Sequence, residues 1–133
     1  MAAHFQSLCL SLALLATGLS VQAQDSESMA PGLPGSWQGS LTIGRDAFDM
    51  VFSITVENGQ YQAALISRQM GIYGMPAESV ELANNRITIK LEILAAEYTG
   101  RIRLDEAGEH VSYIDGEWFQ EGEMVPVILR PAE

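Results

Sequence analysis

The chain has 133 residues, of which 17 are acidic and 7 are basic, so its formal net charge at pH 7 is −10. A chain of this charge repels nucleic acids and anionic membrane surfaces, and no cluster of Lys and Arg offsets the repulsion. We therefore expect no nucleic-acid partner. The length and the 47% hydrophobic content suffice for one packed domain.

The first segment of the chain predicts a signal peptide over residues 1–23. An apolar run extends from Leu8 to about Val21, and Val21 and Ala23 occupy the −3 and −1 positions of a cleavage site. The run is too short for a membrane span and has no basic flank. Cleavage near Ala23 would deliver a periplasmic or secreted protein. Cys9, the single cysteine, lies in this segment, so the mature chain would contain no disulfide.

The next segment, residues 24–34, is polar and then rich in Pro and Gly, which is typical of a flexible leader. From Ser36 onward the hydrophobic residues alternate with a period of two, as they do in half-buried strands. The side chains expected to point inward from the first two strands are Trp37, Leu41, Ile43, Phe48, Met50, Phe52, Ile54 and Val56. Asn58 and Gly59 both accept positive φ angles and predict a type I′ hairpin turn.

Further strands are predicted at residues 61–67, 79–82, 86–91, 97–104, 110–118 and 124–130, and nothing is typical of a helix of useful length. About eight short strands joined by tight turns predict an all-β domain over residues 35–131. The favoured architecture is a small antiparallel up-and-down barrel, which leaves no exposed strand edge. A two-sheet sandwich is the alternative.

Gly35, Ser36 and Trp37 form a Gly-x-Trp at the start of the first strand, and Arg130 lies near the end of the last. This pairing resembles the lipocalin/calycin superfamily. The resemblance implies that Trp37 seals one end of the barrel and that Arg130 lies across its ring as a closure contact.

A wider pattern carries a second resemblance, through "GSWQGSL", "FDMVFSITVENGQYQA", "GMPAESVEL", "YTGRIRL", "IDGEW" and "VPVILRP". It is similar to a small lipocalin-like β domain of bacterial exported proteins, which occurs alone or ahead of a secreted serine hydrolase domain. The resemblance spans about residues 35–131 and implies a fold and a location more than an activity. No hydrolase domain follows in this sequence, so any such partnership would join separate chains.

The residues that carry enzyme chemistry are sparse. His110 is the only histidine of the predicted mature chain, and neither a cysteine nor a Gly-x-Ser-x-Gly motif accompanies it. The acids near two turns do not have the spacing of a calcium loop. Glu117 and Glu123 face one another in a predicted hairpin, but solvated turn residues explain them better than glycosidase chemistry. We expect a protein that is not an enzyme, with no cofactor and no metal site.

The stretch "SRQMGIYGMPAES" interrupts the alternation. Its glycines argue against a regular strand and its apolar residues argue against a solvated loop, so we expect a lid over one barrel mouth. Met70, Tyr73 and Met75 of this stretch are candidate ligand-binding residues. The inward aromatic residues Phe52, Tyr98 and Trp118 complete the set, provided that they leave a cavity between them.

Two classes of function remain. The first is a binding domain for a small apolar or amphipathic ligand. The second is a protein-interaction module, including a periplasmic inhibitor that acts on a secreted hydrolase or protease. Small barrel inhibitors of secreted metalloproteases insert a flexible N-terminal segment, for which residues 24–34 have a suitable length. Those inhibitors carry a disulfide that this chain lacks.

Overall fold

The computed structural model describes residues 30–132, so the predicted signal peptide and residues 24–29 of the predicted leader lie outside the described part. The described chain is all-β and every strand pairing in it is antiparallel. Its nine strands are β1 (Gly35–Ile43), β2 (Asp46–Glu57), β3 (Gln60–Ser67), β4 (Ile72–Pro76), β5 (Ser79–Ala83), β6 (Arg86–Leu91), β7 (Ala96–Leu104), β8 (Val111–Gln120) and β9 (Glu123–Pro131). Two 3₁₀ turns, Arg68–Met70 and Glu92–Leu94, precede β4 and β7.

The strands form one curled sheet in the order β4-β3-β2-β1-β9-β8-β7-β6-β5. Most strands pair with their neighbours in sequence, as expected for an up-and-down meander, and β1 also pairs with β9. The turn between β2 and β3 confirms the predicted hairpin, because Asn58 and Gly59 have φ angles of 54° and 78°. Both angles lie in the left-handed region that a type I′ turn requires.

β4 and β5 follow one another in the chain, although they are the two outermost strands in the order of the sheet. The Ala77 N–H donates to the Ala63 carbonyl at 2.8 Å, and the Glu78 N–H donates to the Lys90 carbonyl at 2.8 Å. The backbone therefore leaves β3 and joins β6 within two residues. This bend separates β4 from β5, and β4 is the strand that brings the total to nine instead of about eight.

The expectation that glycines prevent a strand in "SRQMGIYGMPAES" is wrong. Gly71, with φ of 72°, caps the first 3₁₀ turn, and β4 begins immediately after it. Gly74, with φ of 120°, lies in β4 where the register with β3 shifts between Leu65 and Ile66. A bulge of this kind accommodates the irregular residue while β4 remains paired.

The joint between β1 and β9 is short. Only Trp37 with Pro131 and Gln38 with Arg130 are register partners, and the Ala132 N–H adds a bond to the Ser36 carbonyl at 2.9 Å. Beyond this joint, Pro126 lies in the part of β9 that has no ladder with β1. A proline is tolerated there because that side of the strand needs no N–H donor.

One end of the curled sheet is closed by the segment that precedes β1. Leu33 is fully buried in the core, and its carbonyl accepts the indole N–H of Trp37 at 2.7 Å. The Val111 N–H donates to the Pro31 carbonyl at 3.1 Å, and the Ala30 N–H donates to the Tyr61 hydroxyl at 2.8 Å. Residues 30–34 are thus packed against this end of the fold.

Candidate functional site

The three inward aromatic candidates lie in the core. Phe52, Tyr98 and Trp118 are at most 1% exposed, and the ring centroids of Phe52 and Tyr98 are 5.7 Å apart. The Tyr98 hydroxyl donates to the Val127 carbonyl at 2.9 Å. Burial raises the pKa of Tyr98 above its ordinary value. These contacts fill the middle of the fold with side chains that hold one another in place.

Trp118 also connects two elements at the other end of the sheet. Its indole N–H donates to the Gln120 Oε1 at 3.1 Å, and the Gln120 Nε2 donates to the Leu94 carbonyl at 3.0 Å. This chain of bonds ties the second 3₁₀ turn to the end of β8. Trp118 therefore has a structural partner for its polar atom, as buried tryptophans usually do.

The candidates from the predicted lid are spread over the first 3₁₀ turn and β4. Met70 and Met75 are half-buried against the core, whereas Tyr73 is 75% exposed. Tyr73 is the register partner of Ile66 on β3. The six predicted ligand-binding residues do not meet in one accessible site, because three lie in the core and three on this edge.

The structure places Arg130 away from the Trp37 ring. Trp37 points into the core, so its neighbour Gln38 and the Gln38 register partner Arg130 point outward. The Arg130 guanidinium lies over the Tyr113 ring, 5.1 Å from its centroid. The expected closure contact is replaced by a cation–π contact on the outer surface, while the Leu33 carbonyl accepts the Trp37 N–H.

The surface that the sequence reasoning missed is the outer face of the β8–β9 hairpin. Val125, Val127 and Leu129 of β9 point toward the core, but the outward residues Met124, Pro126 and Ile128 are non-polar as well. Phe119 of β8 is the register partner of Met124 and also points outward. We call the residues Phe119, Met124, Pro126 and Ile128 the outer stripe.

The outer stripe is open to solvent. Met124 is 53% exposed, Ile128 is 44% exposed and Phe119 is 40% exposed. A strand that is apolar on both faces is typical of sheets covered on both sides. The signal in the sequence is the uninterrupted apolar run "MVPVIL", which has no alternation to separate inward from outward residues.

A groove of about 480 Å³ adjoins the outer stripe at the hairpin tip. Phe119 and Ala95 provide apolar lining, and Lys90 is the one basic residue of the lining. The acidic residues of the lining are Glu78, Glu92, Glu97 and Glu121. A hydrogen bond with the Glu92 carboxyl raises the pKa of Glu78, since proton sharing relieves the repulsion between the two groups. We call this feature the acidic groove.

A second opening lies between the end of β1 and the start of β9. It has a volume of about 330 Å³ and is lined by Ile43, Trp118, Gln120, Glu121, Glu123 and Val125. A larger groove of about 680 Å³ lies between β3 and β5, beside the bend at residues 77–78. Its lining is mainly the two strand edges, Gly59 to Ala63 and Pro76 to Leu82.

Comparison with protein-family models, with curated proteins and with solved structures finds no match for this chain. Within residues 30–132, no group of three or more His, Cys, Asp and Glu side chains is placed to hold a metal ion. In the same residues, no helix is long and apolar enough to cross a membrane. His110 lies on an exposed loop, with its Nδ1 3.7 Å from the Asp105 carboxylate.

Proposed function

We propose that this chain is an exported, non-enzymatic β domain that binds another protein through the outer stripe. The supporting observation is the exposure of Phe119, Met124 and Ile128 on a hairpin whose other face is already buried in the core. Covering a half-exposed side chain of this size contributes about 1 kcal/mol. Three or four such residues form the centre of a small interface, to which a polar rim adds specificity.

The same proposal includes a lipocalin-like barrel as the scaffold. Its support is the placement of Trp37 at the sealed end and of β1 beside β9 in the sheet order. In that scaffold the interior aromatic residues are structural and the binding surface lies outside. The predicted signal peptide at residues 1–23 would direct the domain to the periplasm or outside the cell.

Site-specific photocrosslinking in the native host tests the proposal. A photoreactive phenylalanine analogue at position 124 or 128 is expected to capture a protein partner. The matched control is position 73, because Tyr73 is even more exposed but lies on β4, away from the outer stripe. Capture at all three positions alike, or capture at none, would refute binding through the outer stripe.

A second candidate function is the binding of a small apolar or amphipathic ligand at the opening between β1 and β9. The observation in its favour is the lining of that opening, where Ile43, Val125 and Trp118 meet beside two glutamates. A native mass spectrum of the protein purified from its own host separates the two functions. A retained small molecule supports the ligand carrier, and an unliganded mass after mild handling counts against it.

A further inference from the structure

The charge around the outer stripe is unevenly distributed. At the hairpin tip, Glu97 is the register partner of Phe119, and Glu123 follows the turn that contains Glu121. At the other end of the same face, Arg130 lies over Tyr113 and Arg103 approaches Asp115 at 3.7 Å. The apolar residues are therefore bordered by carboxylates at the tip and along β8, where Glu117 and Asp115 are the register partners of Pro126 and Ile128, and by guanidinium groups at the far end.

The acidic groove, which Phe119 helps to line, adds further carboxylates at the hairpin tip. Four glutamates surround a space that one lysine, Lys90, shares with them. Two of the four carboxylates are close enough to interact, because a hydrogen bond with Glu92, and after it desolvation and the Glu92 charge, raise the pKa of Glu78. A cation that enters the groove is attracted by these carboxylates and lies close to Phe119, which is part of the lining.

A second copy of this chain is a poorer match for the tip than a basic protein. Each copy carries a net charge of −10, so an approaching copy experiences repulsion before any local contact forms. A partner that has an apolar side chain next to Lys or Arg matches both surfaces. The apolar side chain packs on the outer stripe, and the cationic side chain enters the acidic groove. Complementary charge of this kind also accelerates association.

We infer that the acidic groove receives a Lys or Arg side chain from an extended basic segment of the partner, whose adjacent apolar side chain packs on Phe119 and Met124. This inference rests on the proposed function, since it names the chemistry of the partner that the outer stripe binds. The cationic end of the segment lies at the hairpin tip, because the far end of the face carries Arg103 and Arg130.

The direct test is binding of a fluorescent peptide that alternates lysine with leucine. Two comparison peptides, one alternating glutamate with leucine and one alternating lysine with serine, separate the two contributions. We expect anisotropy to show binding of the lysine–leucine peptide, weaker binding of the lysine–serine peptide and none of the glutamate–leucine peptide. Affinity is expected to fall as salt rises, because the carboxylates are exposed.

Charge-neutral variants locate the site. The triple variant Glu92→Gln, Glu97→Gln, Glu121→Gln keeps the shape of the groove and is expected to lower peptide affinity by about tenfold. The control triple variant alters acids on the opposite end of the fold and changes the net charge equally: Glu57→Gln, Glu106→Gln, Glu109→Gln. We expect it to lower affinity by less than about twofold. Far-UV circular dichroism checks that both variants are folded.

The outcomes separate this inference from the proposed function. Equal loss of affinity in the two triple variants, or no binding of the lysine–leucine peptide, overturns the basic partner. If the groove variant still forms the crosslink at position 124, the proposed function stands and the inference fails. If neither position 124 nor position 128 gives a crosslink in the wild-type background, the proposed function itself fails. A crosslinked product of twice the protein mass identifies a second copy and also overturns the basic partner.

Discussion

Truncation of Trp37 is the most direct test of the role of this side chain in closing one end of the curled sheet. The side chain is 2% exposed, and its N–H donates to the Leu33 carbonyl at 2.7 Å. Trp37→Ala removes a large buried ring and should lower the free energy of unfolding by about 3–5 kcal/mol. For a domain near this size each kcal/mol lowers Tm by about 4 °C or more, so Tm should fall by at least about 12 °C.

Trp37→Phe separates packing from hydrogen bonding. It retains most of the ring but leaves the buried Leu33 carbonyl without its donor, which costs about 1–3 kcal/mol. Urea unfolding followed by far-UV circular dichroism measures both variants without relying on tryptophan fluorescence. Gln38→Ala is the matched control, because Gln38 is the adjacent outward residue, and it should change stability by less than about 0.5 kcal/mol. A loss below about 1 kcal/mol in Trp37→Ala would contradict the sealing role.

Three further predictions follow from the backbone and the turns. Gly116→Ala should destabilise strongly, by about 3 kcal/mol or more, because a Cβ there would collide with the Thr99 carbonyl oxygen and with the Tyr98 hydroxyl. Ala95→Gly should raise stability by up to about 1 kcal/mol, since Ala95 adopts a left-handed φ of 52° after the second 3₁₀ turn. Asp105→Asn should lower stability at pH 7, because the backbone N–H of Glu109 donates to the Asp105 carboxylate at 2.9 Å and lowers its pKa.

Each of these predictions has its own control. Gly122→Ala has open space around the added Cβ but a φ of 81°, so it measures the cost of left-handed strain without the clash that is expected at Gly116. Gly71→Ala is the counterpart of Ala95→Gly at the first 3₁₀ turn and should have the opposite sign. The lowered pKa of Asp105 stabilises the fold above the ordinary value of 3.8, and this contribution disappears as the pH falls through the folded-state pKa. The stability difference between wild type and Asp105→Asn should therefore shrink in acid, and a constant difference would contradict the assignment.

The strands and the first hairpin could be predicted because their signals are local. Alternation identified Trp37 and Phe52 as inward, and Asn58 with Gly59 fixed a turn whose φ angles need no information from elsewhere in the chain. β4 could not be predicted in this way. Its hydrogen-bond partner is β3, and the shifted register that tolerates Gly74 exists only when the two strands pair.

Two surface features, the outer stripe and the acidic groove, were not predicted, for different reasons. The outer stripe is visible in the sequence as the apolar run from Met124 to Leu129, but a strand with apolar residues at every position does not show which of them face outward. The acidic groove could not be found from sequence. Its glutamates come from the bend before β5, the second 3₁₀ turn, β7 and the last turn, and the register of β6 to β8 brings them together.

The short joint between β1 and β9 has a consequence for how the molecule folds. The residues that meet there, such as Trp37 and Pro131, are roughly 90 positions apart in the chain, whereas the hairpins pair neighbours. We expect the hairpins to form early and this closure to come late, because long-range pairing is the slow step in β topologies. Until then the free side of β1 is an edge open to other chains. We therefore expect the folding protein to be prone to aggregation until the joint between β1 and β9 has formed.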